Sequence, residues 1–435
     1  MNSKRSAGRF WLVLTIFSLA GQVAWTVENM YFNVFIYKMF HATAAEISLM
    51  VGASAAAAAL TTLLIGALSD KVGKRKVFIC GGYVLWGVTI ASFALIRLDV
   101  IGPLLPSTVS AAAVGVSLTI LMDCVMTFVG SSANDACFNA WLTESVAPGQ
   151  RGAAEGVNAM MPLLAVLVVF GGFMGFDLDQ PDSWSTIFLI IGGAAILIGG
   201  AGFFLMEEHA APRPENSRFL ANLVHGFRPS VIRANPMLYA TLVCFMAFNI
   251  SIQIFMPYLI LYYTEALHMD GYVLIMAPAI VLAAVFTAVY GRRYDRRGFA
   301  AALIPSLALL MGGYVILYLL RDTAAVFLGS LMMMCGYLSG MAVFGAKVRD
   351  HIPADKAGMF QGLRIISQVL IPGIIGPAIG AWVLCDAQTV VGDDGTRSFI
   401  PNEKIFLAAL VAAALIWLLL PLLRRLRTAQ KEETT

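Results

Sequence analysis

Charged side chains are scarce in this sequence. They form 13% of its 435 residues, about half the share of roughly 25% that soluble proteins carry. Hydrophobic residues reach 59%. A soluble fold of this length cannot bury so much apolar surface while leaving so little charge outside. The composition therefore excludes an ordinary soluble enzyme and a disordered chain, and it indicates a membrane protein.

Reactive and metal-binding side chains are also few. The six cysteines form no C-x-x-C pair, and the five histidines fall in loops or at predicted helix ends. Gly73-Lys74 is followed by Arg75, so this stretch is not a G-x-x-x-x-G-K-[ST] phosphate loop. We expect no metal site, no cofactor, no catalytic centre and no ATP-driven pump. The net charge of +3 is too small to indicate nucleic-acid binding.

Long apolar runs dominate the chain, and runs of about 20 residues predict membrane helices. Twelve such runs lie near 10–37, 45–68, 77–97, 109–143, 153–177, 183–205, 236–263, 270–290, 300–320, 324–346, 359–384 and 404–423. The predicted fold class is an all-α membrane protein with two six-helix bundles. Its parts are an N-terminal bundle (1–205), a cytoplasmic linker with an amphipathic helix (206–235), a C-terminal bundle (236–423) and a cytoplasmic tail (424–435).

The basic residues predict the orientation, because loops rich in lysine and arginine stay in the cytoplasm. If both termini are cytoplasmic, nearly all of the 29 basic residues fall on that side. The exceptions are Lys38, Arg97, Arg321, Arg397 and Lys404. So strong a bias supports the count of twelve spans, since removing one span would scramble it.

The two halves carry the same loop signal. The loop after span 2 reads Gly66-Ala-Leu-Ser-Asp70-Lys-Val-Gly73, and the loop after span 8 reads Gly291-Arg-Arg-Tyr-Asp295-Arg-Arg-Gly298. Both have the form G-x-x-x-D-x-x-G between two membrane helices. Internal repeats of this kind are typical of secondary transporters.

The stretch from Gly66 to Lys76 resembles the loop signature of the major facilitator superfamily, G-x-x-x-D-x-x-G-x-R-K. The resemblance implies a gating role for Asp70, with Gly66 and Gly73 allowing close packing and a tight turn. It also implies that Arg75 and Lys76 anchor to the anionic membrane leaflet. Asp295 would gate in the second copy, and Arg364 in span 11 would act as a cytoplasmic gate or as the partner of an acid such as Asp70.

Spans 1 and 4 also resemble the cation–glycoside symporter branch of that superfamily. The similar residues are Trp25-Thr-Val-Glu28-Asn29-Met-Tyr-Phe-Asn33 and Met122-Asp123. In that branch an aspartate placed like Asp123 helps to bind the coupling cation. Span 2 lacks the mid-helix aspartate pair of the branch, which favours protons over sodium. Span 5 lacks the glycine–proline signature of drug–proton antiporters.

Acidic residues inside the predicted spans are the main functional candidates, because a charge in the membrane costs about 2.5–3.5 kcal/mol. Glu28 lies about 15 Å and Asp123 roughly 20 Å from the outer ends of their helices. They can therefore lie at similar depths. Asp135 lies nearer the cytoplasmic end. A buried carboxyl group suits proton coupling, so we expect Glu28, Asp123 and Asp135 to bind the coupled proton.

Neutral polar and aromatic residues in the spans are candidates for solute binding. Helical spacing puts Gln22, Thr26, Asn29 and Asn33 on one stripe of span 1, and Asp123, Thr127 and Asn134 on one face of span 4. Span 7 offers two amides one turn apart. The predicted substrate-binding residues are Trp25, Asn29, Asn33, Thr127, Asn134, Asn249 and Gln253.

These patterns predict a secondary transporter that moves a small polar solute, such as a sugar or glycoside, by alternating access with proton symport. The alternative is a proton-coupled exporter of amphipathic compounds. A membrane enzyme and a solute sensor that moves no cargo are further classes. We expect a monomer whose partners are the solute, protons and membrane lipids, in a plasma membrane such as the bacterial inner membrane.

Overall fold

The computed structural model describes residues 2–72, 74–146, 150–207, 227–269, 271–351, 362–391 and 396–434. Within this part of the chain, twelve helices are long and apolar enough to cross a membrane, which confirms the predicted fold class. We number their spanning segments α1–α12. They are Gly8–Phe40, Ala44–Ile65, Arg75–Leu95, Ala111–Leu142, Gly156–Phe173, Pro181–Leu205, Pro236–Ala266, Tyr272–Gly291, Phe299–Leu319, Thr323–His351, Gly362–Val383 and Lys404–Pro421.

The helices form two compact units, Met1–Ser217 and Arg218–Thr435. In the first unit α1 packs along α5, α2 along α4 and α3 along α6. In the second unit α7 packs along α11, α8 along α10 and α9 along α12. Each of these three pairs of the first unit thus has a counterpart in the second, although α9 packs more extensively on α10 than on α12. The repeat seen in the loop sequences therefore extends to part of the packing.

Small residues allow these helices to approach closely. A Cβ atom added to Gly199 of α6 would lie 2.7 Å from the carbonyl oxygen of Cys80 in α3. A Cβ atom added to Gly313 of α9 would lie 2.7 Å from the carbonyl oxygen of Gly329 in α10. Both distances are too short for a real contact. Close backbone approach through small residues is a general means of packing membrane helices, where lipid removes the hydrophobic driving force.

Three spanning segments contain π-helical turns that the sequence pattern did not predict. They are Ser131–Phe138 in α4, Tyr262–Ala266 in α7 and Ile366–Leu370 in α11. α7 also contains a 3₁₀ turn, Met256–Tyr258, where Pro257 lacks the backbone N–H that a regular helix needs. Such turns change which face a helix presents beyond them, and π-helical turns are frequent at functional sites.

The connections include short elements. β1 (Thr389–Val391) and β2 (Arg397–Phe399) form an antiparallel ribbon between α11 and α12, with Thr389 opposite Phe399. Short helices at Leu98–Ile101 and Pro229–Ala234 lie between spanning segments. The predicted amphipathic linker helix falls mainly on residues 208–226, which lie outside the described residues.

Matching ion pairs join corresponding helix ends in the two units. Arg97, just after α3, contacts Asp182 at the start of α6 at 2.5 Å, and Arg321, after α9, contacts Glu403 beside α12 at 2.7 Å. Hydrogen bonds to Asp99 and Asp182 raise the pKa of Arg97, and the Arg97 guanidinium lowers the pKa of the exposed Asp99. The repeat therefore includes an ion pair between the end of α3 and the start of α6, and a corresponding ion pair between the end of α9 and the start of α12.

The predicted orientation can be tested with a native thiol. Cys385, after α11, is exposed, and the predicted topology puts it outside the cell. A membrane-impermeant maleimide should label intact cells that express the protein, and C385S should abolish that labelling because the other described thiols are buried or only partly exposed. Labelling that needs permeabilised cells would contradict cytoplasmic termini.

Candidate functional site

Glu28 of α1 is buried in the first unit, with 8% of its surface exposed. Its Oε1 atom accepts hydrogen bonds from the Ser54 hydroxyl of α2 at 2.6 Å and from the Thr127 hydroxyl of α4 at 2.8 Å. The two hydroxyl oxygens lie 2.8 Å apart. Three helices thus meet at one carboxylate oxygen.

Asp123 completes this cluster from α4, one helical turn before Thr127. It is 2% exposed and lies close enough to Glu28 to interact with it electrostatically. Sequence analysis put Glu28 and Asp123 at similar depths, and the structure brings them together. Glu28 Oε2 and Asp123 Oδ1 are buried without a hydrogen-bond partner among the described residues. We call Glu28, Ser54, Asp123 and Thr127 the carboxyl cluster.

A second polar group surrounds Asp135 in the π-helical turn of α4. The Asn134 amide donates to Asp135 Oδ1 at 3.0 Å, and the Tyr83 hydroxyl of α3 lies 2.9 Å from Asn134 Oδ1. Trp25 of α1 lies near Asp135 and packs against Trp86, with ring centroids 4.9 Å apart. Three predicted site residues, Trp25, Asn134 and Asp135, therefore lie close together. Asp135 is also close enough to Glu28 to interact electrostatically.

The predicted polar stripe of α1 does not form one accessible surface. Thr26 and Asn33 are buried, and Asn29 is exposed. Each donates to a carbonyl four residues earlier: Thr26 to Gln22 at 2.7 Å, Asn29 to Trp25 at 2.7 Å and Asn33 to Asn29 at 3.1 Å. The stripe faces partly into the helix bundle because α2, α4 and α5 also pack on α1. Asn33 is only 1% exposed in this arrangement, and its contact with solute stays a prediction.

The candidates in the second unit are separate from one another. Asn249 of α7 is buried, and its amide donates to the Phe245 carbonyl at 2.8 Å. Gln253 is half-buried beside Gly376 of α11. Arg364 of α11 is half-buried, and its Nε atom donates to Gln368 at 3.1 Å. Of the two amides on α7, Gln253 is the more accessible.

The position of Arg75 contradicts the expectation from the loop signature that this residue anchors to the anionic membrane leaflet. It is 4% exposed and therefore does not face the membrane leaflet. Its guanidinium pairs with Glu144 at 2.8 Å and with the Ser69 hydroxyl at 2.5 Å. A buried guanidinium needs such partners, because its five N–H groups cannot be left unsatisfied. Arg75 thus ties the start of α3 to the segment that follows α4.

Other loop candidates lie outside the described residues or their described side chains. Gly73 is not described, and nothing is described for the side-chain environment of Gly66, Asp70 or Asp295. Their predicted gating roles stay predictions. In the second unit, Tyr294 hydrogen-bonds with Asp350. Asp350 precedes Gly358 and Gly362 at the spacings at which Glu144 precedes Gly152 and Gly156, so the two acids correspond in the repeat.

Three residues that make contacts in these groups, Ser54, Tyr83 and Glu144, were not indicated as site residues by the sequence pattern. Ser54 stands alone in the run Gly52-Ala-Ser54-Ala-Ala-Ala-Ala-Ala, and an isolated hydroxyl in an alanine-rich membrane helix was the available signal. Tyr83 gave no signal, because tyrosine is common at membrane interfaces. Glu144 marked the repeat but carried no assigned contact.

The Arg75–Glu144 pair should contribute to stability. E144Q would leave the buried guanidinium without its charged partner, at a cost of about 1–3 kcal/mol. The matched control is E403Q, whose partner Arg321 is 58% exposed and for which about 0–1 kcal/mol is expected. Thermal unfolding in detergent should show a clear drop in melting temperature for E144Q only. Equal drops for both variants would contradict this role.

Comparisons with known proteins agree with this architecture. Solved structures with the same fold include a bacterial homologue of the human lysosomal transporter Spinster, at 15% identity and a TM-score of 0.68, with 97% of each chain covered. The nucleoside transporter NupG matches at 12% identity and 0.68, covering 96% of this chain and 98% of its own. A D-xylose–proton symporter matches at 14% and 0.67, covering 94% and 97%.

Sequence comparison gives the family. No curated protein sequence matches the chain. The sequence profile of the Major Facilitator Superfamily, however, matches residues 11–377. That match covers most of the chain, including the repeated loops, the carboxyl cluster and the Arg75–Glu144 pair. The chain therefore belongs to the major facilitator superfamily.

Proposed function

We propose that this protein is a secondary transporter that imports a small polar solute together with a proton, and that the carboxyl cluster binds the proton. The observation that carries the proposal is that Glu28 and Asp123 are both buried and close enough to interact electrostatically. Two neighbouring carboxyl groups inside a membrane span are costly when both are charged. A bound proton removes one charge, and its release restores it.

The surroundings of the pair favour a proton over a metal cation. No ion pair joins Glu28 or Asp123 to a basic residue among the described residues. Ser54 and Thr127 lie at 2.6 and 2.8 Å from one carboxylate oxygen, which are hydrogen-bonding distances. Because both hydroxyl groups donate hydrogen bonds to the Glu28 carboxylate, their geometry supports proton binding at this site.

A neutral, hydroxyl-rich solute suits the accessible polar groups. In the first unit, Asn29 is exposed and Trp25 is half-buried, and they offer an amide and an aromatic face without a net charge. In the second unit, the half-buried Gln253 offers a further amide. Such groups bind sugars by stacking and neutral hydrogen bonds. Two of the structural neighbours support the same class, since their names describe a nucleoside transporter and a D-xylose–proton symporter.

The remaining assignments belong to the same proposal. Asp70, Asp295 and Arg364 would act in gating at the cytoplasmic side, and Asp135 would tune the carboxyl cluster through its electrostatic contact with Glu28. The protein would act as a monomer in a bacterial inner membrane, with both termini in the cytoplasm.

Solute-driven proton movement tests the proposal directly. Purified protein in lightly buffered liposomes should alkalinise the medium when the right sugar, glycoside or nucleoside from a panel is added. D123N and E28Q should reduce this proton uptake at least about tenfold, because an amide carries no titratable proton. Both should retain solute exchange at equal concentrations, which needs no net proton transfer.

The matched control is D386N, which makes the same acid-to-amide change in the exposed loop after α11 and should behave like the wild type. Parallel runs with and without sodium separate the two ions. Uptake that needs sodium and moves no protons would overturn proton symport. Dye extrusion without solute uptake would overturn import and favour the exporter.

A further inference from the structure

A shallow groove of about 720 Å³ lies between α3 and α6 in the first unit. Val88 and Leu95 of α3 and Leu189 of α6 line its apolar part. All three are exposed although they lie in spanning segments, so they face lipid. Arg97 and Asp99 line the groove where α3 ends. The groove is therefore apolar within the membrane and charged at the membrane surface.

Small residues bring the two helices together beneath the groove. A Cβ atom added to Gly192 of α6 would lie 2.5 Å from the carbonyl oxygen of Gly87 and 2.7 Å from the backbone nitrogen of Ala91 in α3. Val88 and Leu189 lie roughly 10 Å inside the ends of their helices, at 1.5 Å per residue. The groove thus follows the helix axes through much of one leaflet, since the whole hydrocarbon core is about 30 Å thick.

The charged end of the groove has an excess of carboxylate. Arg97 donates to Asp99 from Nε at 2.9 Å and from Nη2 at 3.0 Å. Its Nη1 atom donates to Asp182 at 2.5 Å and to Ser185 at 3.3 Å. Four of the five guanidinium N–H groups are thus bonded within the protein. One guanidinium and two carboxylates leave a net charge of −1 at this end.

The two carboxylates can accept further hydrogen bonds. The side chains of Asp99 and Asp182 are 62% and 88% exposed, and an ionised carboxylate has about four acceptor positions. Arg97 bonds to two of these positions at Asp99 and to one at Asp182. The end of the groove therefore favours a cation with several N–H donors, and its net charge disfavours an anion.

We propose that this groove binds a phospholipid whose head group carries a primary ammonium, such as phosphatidylethanolamine. One acyl chain lies along the groove between α3 and α6, and the ammonium group donates hydrogen bonds to Asp99 and Asp182. A primary ammonium has three donors, whereas the fully methylated nitrogen of a choline head group has none. The direction of the groove and the charge at its end carry this inference, which does not depend on the identity of the transported solute.

Native mass spectrometry of the purified protein can test the head-group preference, because it counts bound lipids. The lipids carry identical acyl chains and the head groups ethanolamine, N-methylethanolamine, N,N-dimethylethanolamine, choline and glycerol. The affinity should fall with each added methyl group. Ethanolamine should bind about fivefold more tightly than choline, the upper range for one exposed charge pair. The anionic glycerol lipid should bind more weakly than the ethanolamine lipid.

A charge reversal at the end of the groove tests the carboxylates. D99N/D182N changes the net charge there from −1 to +1, because the arginine remains. This variant should lose the preference for ethanolamine and bind the anionic glycerol lipid more tightly instead. The matched control is D322N/E403Q, which makes two acid-to-amide changes beside Arg321 at the corresponding end of the second unit. It should keep the wild-type preference.

A bulky residue in the groove tests the acyl-chain contact. L189W should fill the groove and weaken the binding of every lipid several-fold. I190W is the matched control, because Ile190 is the next residue of α6 and is exposed outside the groove. Melting temperatures close to that of the wild type would show that both variants are folded.

Several results would overturn the inference. These are equal affinities for ethanolamine and choline lipids, a preference that D99N/D182N leaves unchanged, and an equal loss of preference in D322N/E403Q. Equal effects of L189W and I190W would remove the groove as the binding place. Glycerophosphoethanolamine, which has the head group without acyl chains, should not displace the lipid. Displacement at equal concentration would assign the site to a soluble amine.

Discussion

The hydrocarbon interior of the membrane is the constraint on which this structure depends. Water is absent there, so every backbone N–H and C=O group must bond within the protein, which restricts the spanning segments to helices. The same rule applies to side chains. Thr26, Asn29 and Asn33 bond to carbonyls of their own helix, while the carboxyl groups of Glu28 and Asp123 have no such local partner. Glu28 accepts hydrogen bonds from hydroxyls on two neighbouring helices, and a polar centre forms where α1, α2 and α4 meet.

The two units of the repeat share a similar helix packing but bury different polar side chains. Both units pair their helices in the same order and join corresponding ends with an arginine–carboxylate contact. The first unit buries carboxyl groups, whereas the described interior of the second contains neutral bonds, such as Tyr263–Ser330 and Ser339–Ser306. Shared packing with unequal chemistry is consistent with one unit that titrates and one that provides neutral contacts.

The sequence predicted the spans well, because hydropathy over about 20 residues reports membrane crossing directly. It also placed Glu28 and Asp123 at one depth, since rise per residue is constant in a regular helix. It could not predict Ser54 as the partner of Glu28, because a hydroxyl in an alanine run gives no information about the helix it faces. It misplaced Arg75 for a related reason: a sequence pattern does not show what covers a side chain. The roles of these residues in transport stay predictions.

The π-helical turn of α4 lies between two segments of the helix that contact different groups of residues. Before it, Asp123 and Thr127 belong to the carboxyl cluster, and after it the chain continues to Trp141 and Glu144. Each residue added to or removed from a helix rotates everything beyond it by about 100°. Shortening this turn to a regular helix would therefore swing Glu144 away from Arg75 while leaving the carboxyl cluster unchanged. The π-helical turn thus sets the rotation of the Glu144 segment relative to the carboxyl cluster. A single-residue deletion in this turn would therefore disturb the contact between Arg75 and Glu144.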